Sequence, residues 1–234
     1  MSEALLLTVD TATTAGSVAL CRGTTLLGEF TLNIRSTHSD RLLSLIQQLL
    51  AATGVSLSQL QALGVVLGPG SFTGLRVGVA TVKGLALALQ IPVVGVSSLA
   101  ALAMQVPYVS CPVCTLLDAR KAEVYAGLFA WKGVELRPLR DEVVLPPVEL
   151  LASLPAEEII FVGNGALEYG DLIQETLGDA ARIVPLSQQV PRAASAAPLA
   201  LAALREKRII PLEHLVPSYI RPSEAELAWR AKMA

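Results

Sequence analysis

The chain has 234 residues, 53% hydrophobic and 16% charged, with 18 basic against 20 acidic side chains for a formal charge of −2. That composition is globular and supplies the core of one large α/β domain or of two small ones sharing a core. With no like-charged run and only 4% aromatics, it argues against a protein that grips nucleic acid unaided or stacks single-stranded bases.

Met1-Ser2-Glu3 leads into the apolar run Ala4 to Val9, which Asp10 stops after too few residues for a signal peptide. A cytoplasmic location is expected. Leu5 to Val9 reads as a strand, Asp10 to Thr14 as a tight turn and Gly16 to Cys21 as its hairpin partner, with Gly28 to Asn33 a third antiparallel strand. From Ser39 to Ala52 the residues Leu42, Leu43, Leu45, Ile46, Leu49 and Leu50 recur at helical spacing, with Ser39 or Asp40 as cap and Gly54 as stop. They cover more of the circumference than one stripe against a sheet requires, which invites a second contact surface.

Leu57 to Ala62 reads as a short helical turn and Leu63 to Leu67 as a buried strand, which runs into Gly68-Pro69-Gly70-Ser71-Phe72-Thr73-Gly74 and a helix over 73–90. Ala80, Gly84 and Ala88 stack on that helix at four-residue spacing, as do Gly74 and Gly78, and such files admit close backbone approach. Its apolar stretch, Leu75 to Leu89, is broken by Arg76 and Lys83 and falls short of the roughly 20 residues of a bilayer span, so no membrane partner is expected. Ile91 to Val96 is a further strand, and Ser97-Ser98 caps a helix through Met104.

The second half repeats the plan. Val109 to Leu117 is a strand ending in the acidic turn Asp118-Ala119-Arg120, followed by strands at 123–131, 134–144 and 159–162, a short helix over 147–154 and a helix over 193–206. The spacing predicts two similar α/β lobes, 1–104 and 105–216, with 217–234 returning to the first.

Several motifs bear on chemistry. Asp10-Thr11-Ala12-Thr13 places a carboxylate and hydroxyls at a strand end, where enzymes of the actin and sugar-kinase type hold phosphate and metal, although Ala12 stands where those enzymes need Gly; the plain alternative is a hairpin turn. The Gly68 to Gly74 loop enters a helix N-terminus, but no Gly-Lys-Ser/Thr follows, which excludes a Walker A site. Asp118, Arg120 and Glu123 gather charge where a second phosphate loop would lie, again without its Gly, so an ion pair fixing the turn is the simpler reading and a weak contact to nucleotide at an interface stays open. Cys111-Pro112-Val113-Cys114 has redox spacing but lies in an apolar strand, so these thiols and Cys21 read as core residues. His38 and His214, with no helical His pair, cannot supply a Zn or Fe site from imidazole alone; His38 is expected to be a polar cap or surface residue.

Asp10-Thr11-Ala12, Gly68 through Gly78, Gly95-Val96-Ser97-Ser98-Leu99, Asp118 through Tyr125, Gly163-Asn164-Gly165 and Pro217-Ser218-Tyr219-Ile220-Arg221 occur in the order seen in the TsaB (YeaZ) family, which the chain resembles over nearly its whole length. The resemblance implies an actin-like (ribonuclease H-like) fold of two lobes, each with a mixed sheet and flanking helices. It implies a non-catalytic partner of TsaD, which transfers threonylcarbamoyl to adenosine 37 of tRNAs reading codons that begin with A, with TsaE, an ATPase, in the assembly. On that basis Leu42, Leu45, Ile46, Leu49, Gly74, Gly78, Val79 and Lys83 are the expected partner interface, and Asp10, Thr11, Thr13, Asp118, Arg120, Gly163 and Gly165 vestigial phosphate or nucleotide turns. No catalytic residue, metal or cofactor of its own is expected; ATP or ADP would sit at the shared interface, tRNA would be met through the complex, and the isolated chain could pair with itself. The rival class is a self-sufficient enzyme of this fold, a small-molecule kinase or a metallopeptidase, and the bland one an α/β protein whose apolar helices are merely core.

Overall fold

In the computed structural model the described residues are 4–34 and 38–221, with the backbone alone for 38–40. The first lobe runs β1 (Leu5–Asp10), β2 (Ala15–Arg22), β3 (Thr25–Asn33), α1 (His38–Thr53), β4 (Ala62–Gly68), α2 (Phe72–Leu89), β5 (Val93–Ser97) and α3 (Ser98–Ala103). The second runs β6 (Val113–Asp118), β7 (Val124–Lys132), β8 (Glu135–Pro138), β9 (Val143–Leu145), α4 (Pro147–Ala152), β10 (Ile159–Val162), α5 (Asn164–Glu168), α6 (Gly170–Leu177), β11 (Ala181–Ile183) and α7 (Ala193–Arg205).

The two sheets have one topology. The first is ordered β3-β2-β1-β4-β5 and the second β8-β7-β6-β10-β11, with β9 beside β7. In each, the first three strands are antiparallel and the last two run parallel to the first. Parallel neighbours need helical crossovers, which bury both faces of the central strands, and all of β1 is buried. Alternate residues of β1 divide between two cores: Leu5, Leu7 and Val9 pack with α1 and α2, whereas Leu6 packs with α3 and α7.

Each lobe lends its last helix to the other. Helix α3 puts Leu99, Leu102 and Ala103 into the second core with Val113, Leu117, Phe129 and Val162. Helix α7 lies on the first sheet through Ala196, Ala200, Leu201 and Ala203, beside Leu6, Ala62 and Val94. The alanine stripe allows a close approach: a Cβ on Gly64 would stand 3.0 Å from the Ala200 Cβ. The first amides of α7, which have no partner within the helix, are capped by the first sheet, Ala193 N–H donating to Ser17 Oγ at 2.9 Å and Ala194 N–H to Glu29 Oε1 at 2.8 Å. The sequence reading places 193–206 in a second lobe ending at 216; the helix instead packs on the first sheet, because its N-terminal donors find their acceptors on β2 and β3.

Other differences are local. The strand expected over 134–144 is broken into β8 and β9, both paired to β7, and α5, α6 and β11 add elements that the sequence reading lacks. The expected turn at 57–62 is a single 3-10 turn over Leu57–Gln59. After α7 the chain returns along the first lobe, with Ile210 N–H donating to Val93 O and Ser218 N–H to Leu67 O, and reaches the cleft between lobes at Arg221.

Candidate functional site

The turn leaving β1 is sealed. Asp10 is 1% exposed, and its Oδ1 accepts the Ala12 N–H at 2.9 Å while Oδ2 is buried with no partner among the described residues. Burial pushes this carboxyl up to about 6, opposed by the Ala12 N–H and helped by the negative Glu29. The Gly68 to Gly74 loop closes over it. Ser71 N–H donates to Ala12 O at 2.7 Å, and a Cβ on Gly70 would stand 2.1 Å from that same carbonyl oxygen, so only glycine fits. Thr11 Oγ1 donates to Gly74 O at 2.8 Å, and a Cβ on Gly78 would stand 2.3 Å from Thr11 Oγ1. The glycine pair at 74 and 78 therefore serves packing of α2 on the β1 turn. Ser71 caps α2, accepting from Gly74 N–H.

The equivalent turn leaving β6 repeats the Asp geometry and stays open. Asp118 Oδ1 accepts the Arg120 N–H at 2.8 Å, Asp118 N–H donates to Asn164 Oδ1 at 3.2 Å, and Ala119 N–H donates to Glu123 O. Arg120, Lys121 and Ala122 are three consecutive non-glycine residues with φ of 62°, 56° and 56°. Left-handed backbone costs an L-residue about 1–2 kcal/mol, so this turn is strained where it meets the cleft. Gly163 is buried behind it, with a Cβ there 2.1 Å from Leu116 O, and its N–H donates to the Gln189 side chain; a Cβ on Gly165 would meet Leu116 as well.

Between the two turns lies a cleft of roughly 630 Å³, to which both lobes and the C-terminal segment contribute. Tyr219 stacks on Phe72 with ring centroids 4.9 Å apart, and Arg76 lies 3.7 Å over the Phe72 ring with its Nε donating to the Tyr219 hydroxyl at 3.0 Å. Arg221 donates to Ala119 O at 2.8 Å and pairs with Glu123, tying the C-terminal segment to the second turn. Thr13 lines the cleft, half-buried, whereas Asp10 and Thr11 lie behind it. Nucleotides in folds of this type are held by backbone amides at two such turns. Here the amides of Ala12, Ser71, Asp118, Ala119, Arg120 and Gly163 all have acceptors within the chain. These six amides are therefore not available to a phosphate.

The expected partner residues are mostly internal. Leu42, Leu45, Ile46 and Leu49 are between 2% and 7% exposed and pack in the first core, where β3 and α2 cover the width of α1 that sequence periodicity left unassigned. A Cβ on Gly28 of β3 would stand 2.9 Å from Leu49 Cδ1, which shows how closely that strand lies on the helix. Gly74, Gly78 and Val79 are buried too, and Lys83 is half-buried. What remains exposed on α1 includes Leu43, 53% exposed, and Ala51; on α2 it includes Ala80, Gly84, Ala88 and Leu87, 71% exposed. Among the described residues outside its own turn of helix, no atom lies within 4 Å of a Cβ built on Gly84. Among the described residues α2 alone is long and apolar enough to cross a membrane by length and composition, and most of it lies outside the core.

The remaining polar motifs are structural. Cys114 is buried in β6 with its thiol pushed up to about 12 by desolvation, and burial likewise raises half-buried Cys111, the opposite of what a redox pair needs. Cys21 is buried as well. Among the described residues no group of three or more His, Cys, Asp or Glu could hold a metal. Helix α1 begins at His38, whose side chain lies outside the described residues, and His214 is exposed in a 3-10 turn. The sequence reading missed Phe72, Arg76, Tyr219 and Arg221 as one constellation. Only the neighbouring aromatic and basic residues of Tyr219-Ile220-Arg221 hinted at it.

Residues 25–229 match the family model described as TsaD: tRNA N6-adenosine threonylcarbamoyltransferase. The tRNA threonylcarbamoyladenosine biosynthesis protein TsaB of Bacillus subtilis is 31% identical over 227 residues, spanning 96% of this chain and 97% of its own. Its namesake in Escherichia coli is 32% identical, spanning 96% of both. Among solved structures, YeaZ from Pseudomonas aeruginosa superposes with a TM-score of 0.80 at 33% identity, covering 92% of this chain and 99% of that one. The ethanolamine utilization protein EutJ of Carboxydothermus hydrogenoformans, at a TM-score of 0.52 and 11% identity, shares the fold alone.

Proposed function

The chain belongs to the TsaB family, and from that premise we propose that it is the non-catalytic partner subunit required for threonylcarbamoyl transfer to adenosine 37 of tRNAs reading A-starting codons. It acts by docking TsaD, with TsaE and ATP hydrolysis in the full assembly and nucleotide confined to interfaces with those partners. It works in the cytoplasm, and the same face pairs two copies when TsaD is absent.

The observation that carries this reading is the solvent face of α2. Ala80, Gly84 and Ala88 form a shallow track with Leu87 beside it, and nothing among the described residues fills the space above Gly84. A small-residue track lets a second helix come close enough for ridges to enter grooves, and each CH₂ buried there contributes about 0.8 kcal/mol. The spent backbone donors at both turns support the non-catalytic half of the proposal.

Leu87→Glu and Gly84→Arg test the face without touching the core. Leu87→Glu should keep the wild-type thermal midpoint within about 2 °C, as exposed substitutions do, and Gly84→Arg should keep or raise it by about 2–4 °C because it removes a mid-helix glycine; both should lose co-elution with TsaD at micromolar concentration. Co-elution unchanged in both would remove this surface from the account.

A further inference from the structure

We infer that the mouth of the inter-lobe cleft is a contact for the phosphate backbone of tRNA, made by Arg76, Arg120 and Lys121. The inference rests on the reading of the chain as a subunit of a tRNA-modifying assembly. The first support is charge. The whole chain carries −2, yet among the described residues lining the cleft four are cations, Arg76, Arg120, Lys121 and Arg221, of which Arg221 is paired with Glu123, and one is a carboxylate, Asp118. Such segregation creates a local positive field that composition alone conceals, and polyanions are attracted to it.

The second support is geometry. Arg120 and Lys121 stand on consecutive left-handed residues and are exposed at the mouth, the Arg120 side chain to 81%. Arg120 meets Asp118 only at 3.5 Å, and an exposed ion pair of that kind holds its cation weakly. Arg76 is oriented by the Phe72 ring face and the Tyr219 hydroxyl, neither of which carries a negative charge, and no carboxylate among the described residues pairs with it. Arg221, by contrast, is engaged with Glu123 and Ala119 O and holds the turn in place.

The third support separates a polyanion from a free nucleotide. Deep in the cleft the amides of Ala12, Ser71, Asp118 and Arg120 are already bonded, so a buried triphosphate would find no cradle. The long side chains of Arg76 and Arg120 reach solvent at the rim, which suits phosphates presented from outside. Phosphate contacts of this kind position a nucleic acid without reading its sequence.

The test is tRNA binding by the assembly reconstituted with TsaD, measured by anisotropy across a salt series, using the double variant Arg120→Gln with Lys121→Gln, the single variant Arg76→Gln, and Lys132→Gln as control. Lys132 ends β7, about 26 Å along the strand from Val124, which adjoins the turn. The double variant should co-elute with TsaD as wild type does, bind tRNA roughly tenfold more weakly at low salt, and reduce the slope of log K against log salt by about 1–2. Arg76→Gln should act in the same direction and Lys132→Gln should be silent. Unchanged affinity and slope with TsaD still bound would overturn the inference, and so would loss of labelled ADP binding by these variants with tRNA binding intact. If wild type itself fails to co-elute with TsaD, the docking proposal fails, and the same titration on the chain alone decides the rim: a residue-dependent salt slope sustains it and its absence rejects it.

Discussion

The turns after β1 and β6 hold the same place in two sheets of the same topology, and each begins with an aspartate whose Oδ1 accepts the amide two residues on. Their surroundings make them differ. At the first, Gly70 and Ser71 press against Ala12 and bury Asp10; at the second, among the described residues, only Arg221 ties down the turn, and three left-handed residues hold Arg120 and Lys121 out into the cleft. One backbone device has become a closed structural joint in one lobe and an open charged rim in the other. The joint spends the amides of Ala12 and Ser71 on acceptors within the chain, whereas the second turn leaves the Arg120 side chain exposed at the cleft.

The largest effect should come from prying the joint open. Gly70→Ala places a Cβ on the Ala12 carbonyl, a backbone atom that cannot swing away, and should destabilise by about 3 kcal/mol or more in urea unfolding. A loss under 0.5 kcal/mol would mean that the loop does not seal the turn. Next is Asp10→Asn. Because burial raises the folded carboxyl from its ordinary 3.8 to about 6, the folded state prefers the protonated acid; stability is greatest below pH 3.8 and is lost as pH rises through 6. The full loss is on the order of 2–3 kcal/mol. Asp10→Asn removes that pH dependence, and a stability profile between pH 4 and 7 parallel to wild type would contradict the buried, unpaired carboxyl. The smallest effect belongs to the rim: Arg120→Gly relieves one left-handed residue and should raise stability by about 0.5–1 kcal/mol, whereas destabilisation would show that the side chain anchors the turn.

Much of the fold was legible in sequence because it follows local periodicity and turn chemistry. The opening hairpin, α1, α2 and the Ser97 cap, which accepts from Leu99 and Ala100, all lie near their expected positions. The repeat of strand, acidic turn and strand was visible for the same reason. Long-range choices were not. Periodicity shows that Leu42, Leu45, Ile46 and Leu49 are apolar, but not that β3 and α2 cover them in the first core. Nor could it show that α7 would find its caps on Ser17 and Glu29, which stand 176 and 165 residues from the amides they accept. The cleft rim was half-seen: Arg120 was named, while Arg76, Phe72, Tyr219 and Arg221 come together only through the C-terminal return.

Division of labour between a docking face and a sealed first turn is the core of this account, and reconstitution of tRNA modification from TsaD, TsaE, a threonylcarbamoyl donor, ATP and tRNA tests it most directly. Modified adenosine should form only when this chain is added and should fall to background with Leu87→Glu, while the chain alone turns over no nucleotide. Formation at the same rate without the chain, or with Leu87→Glu in its place, would contradict it.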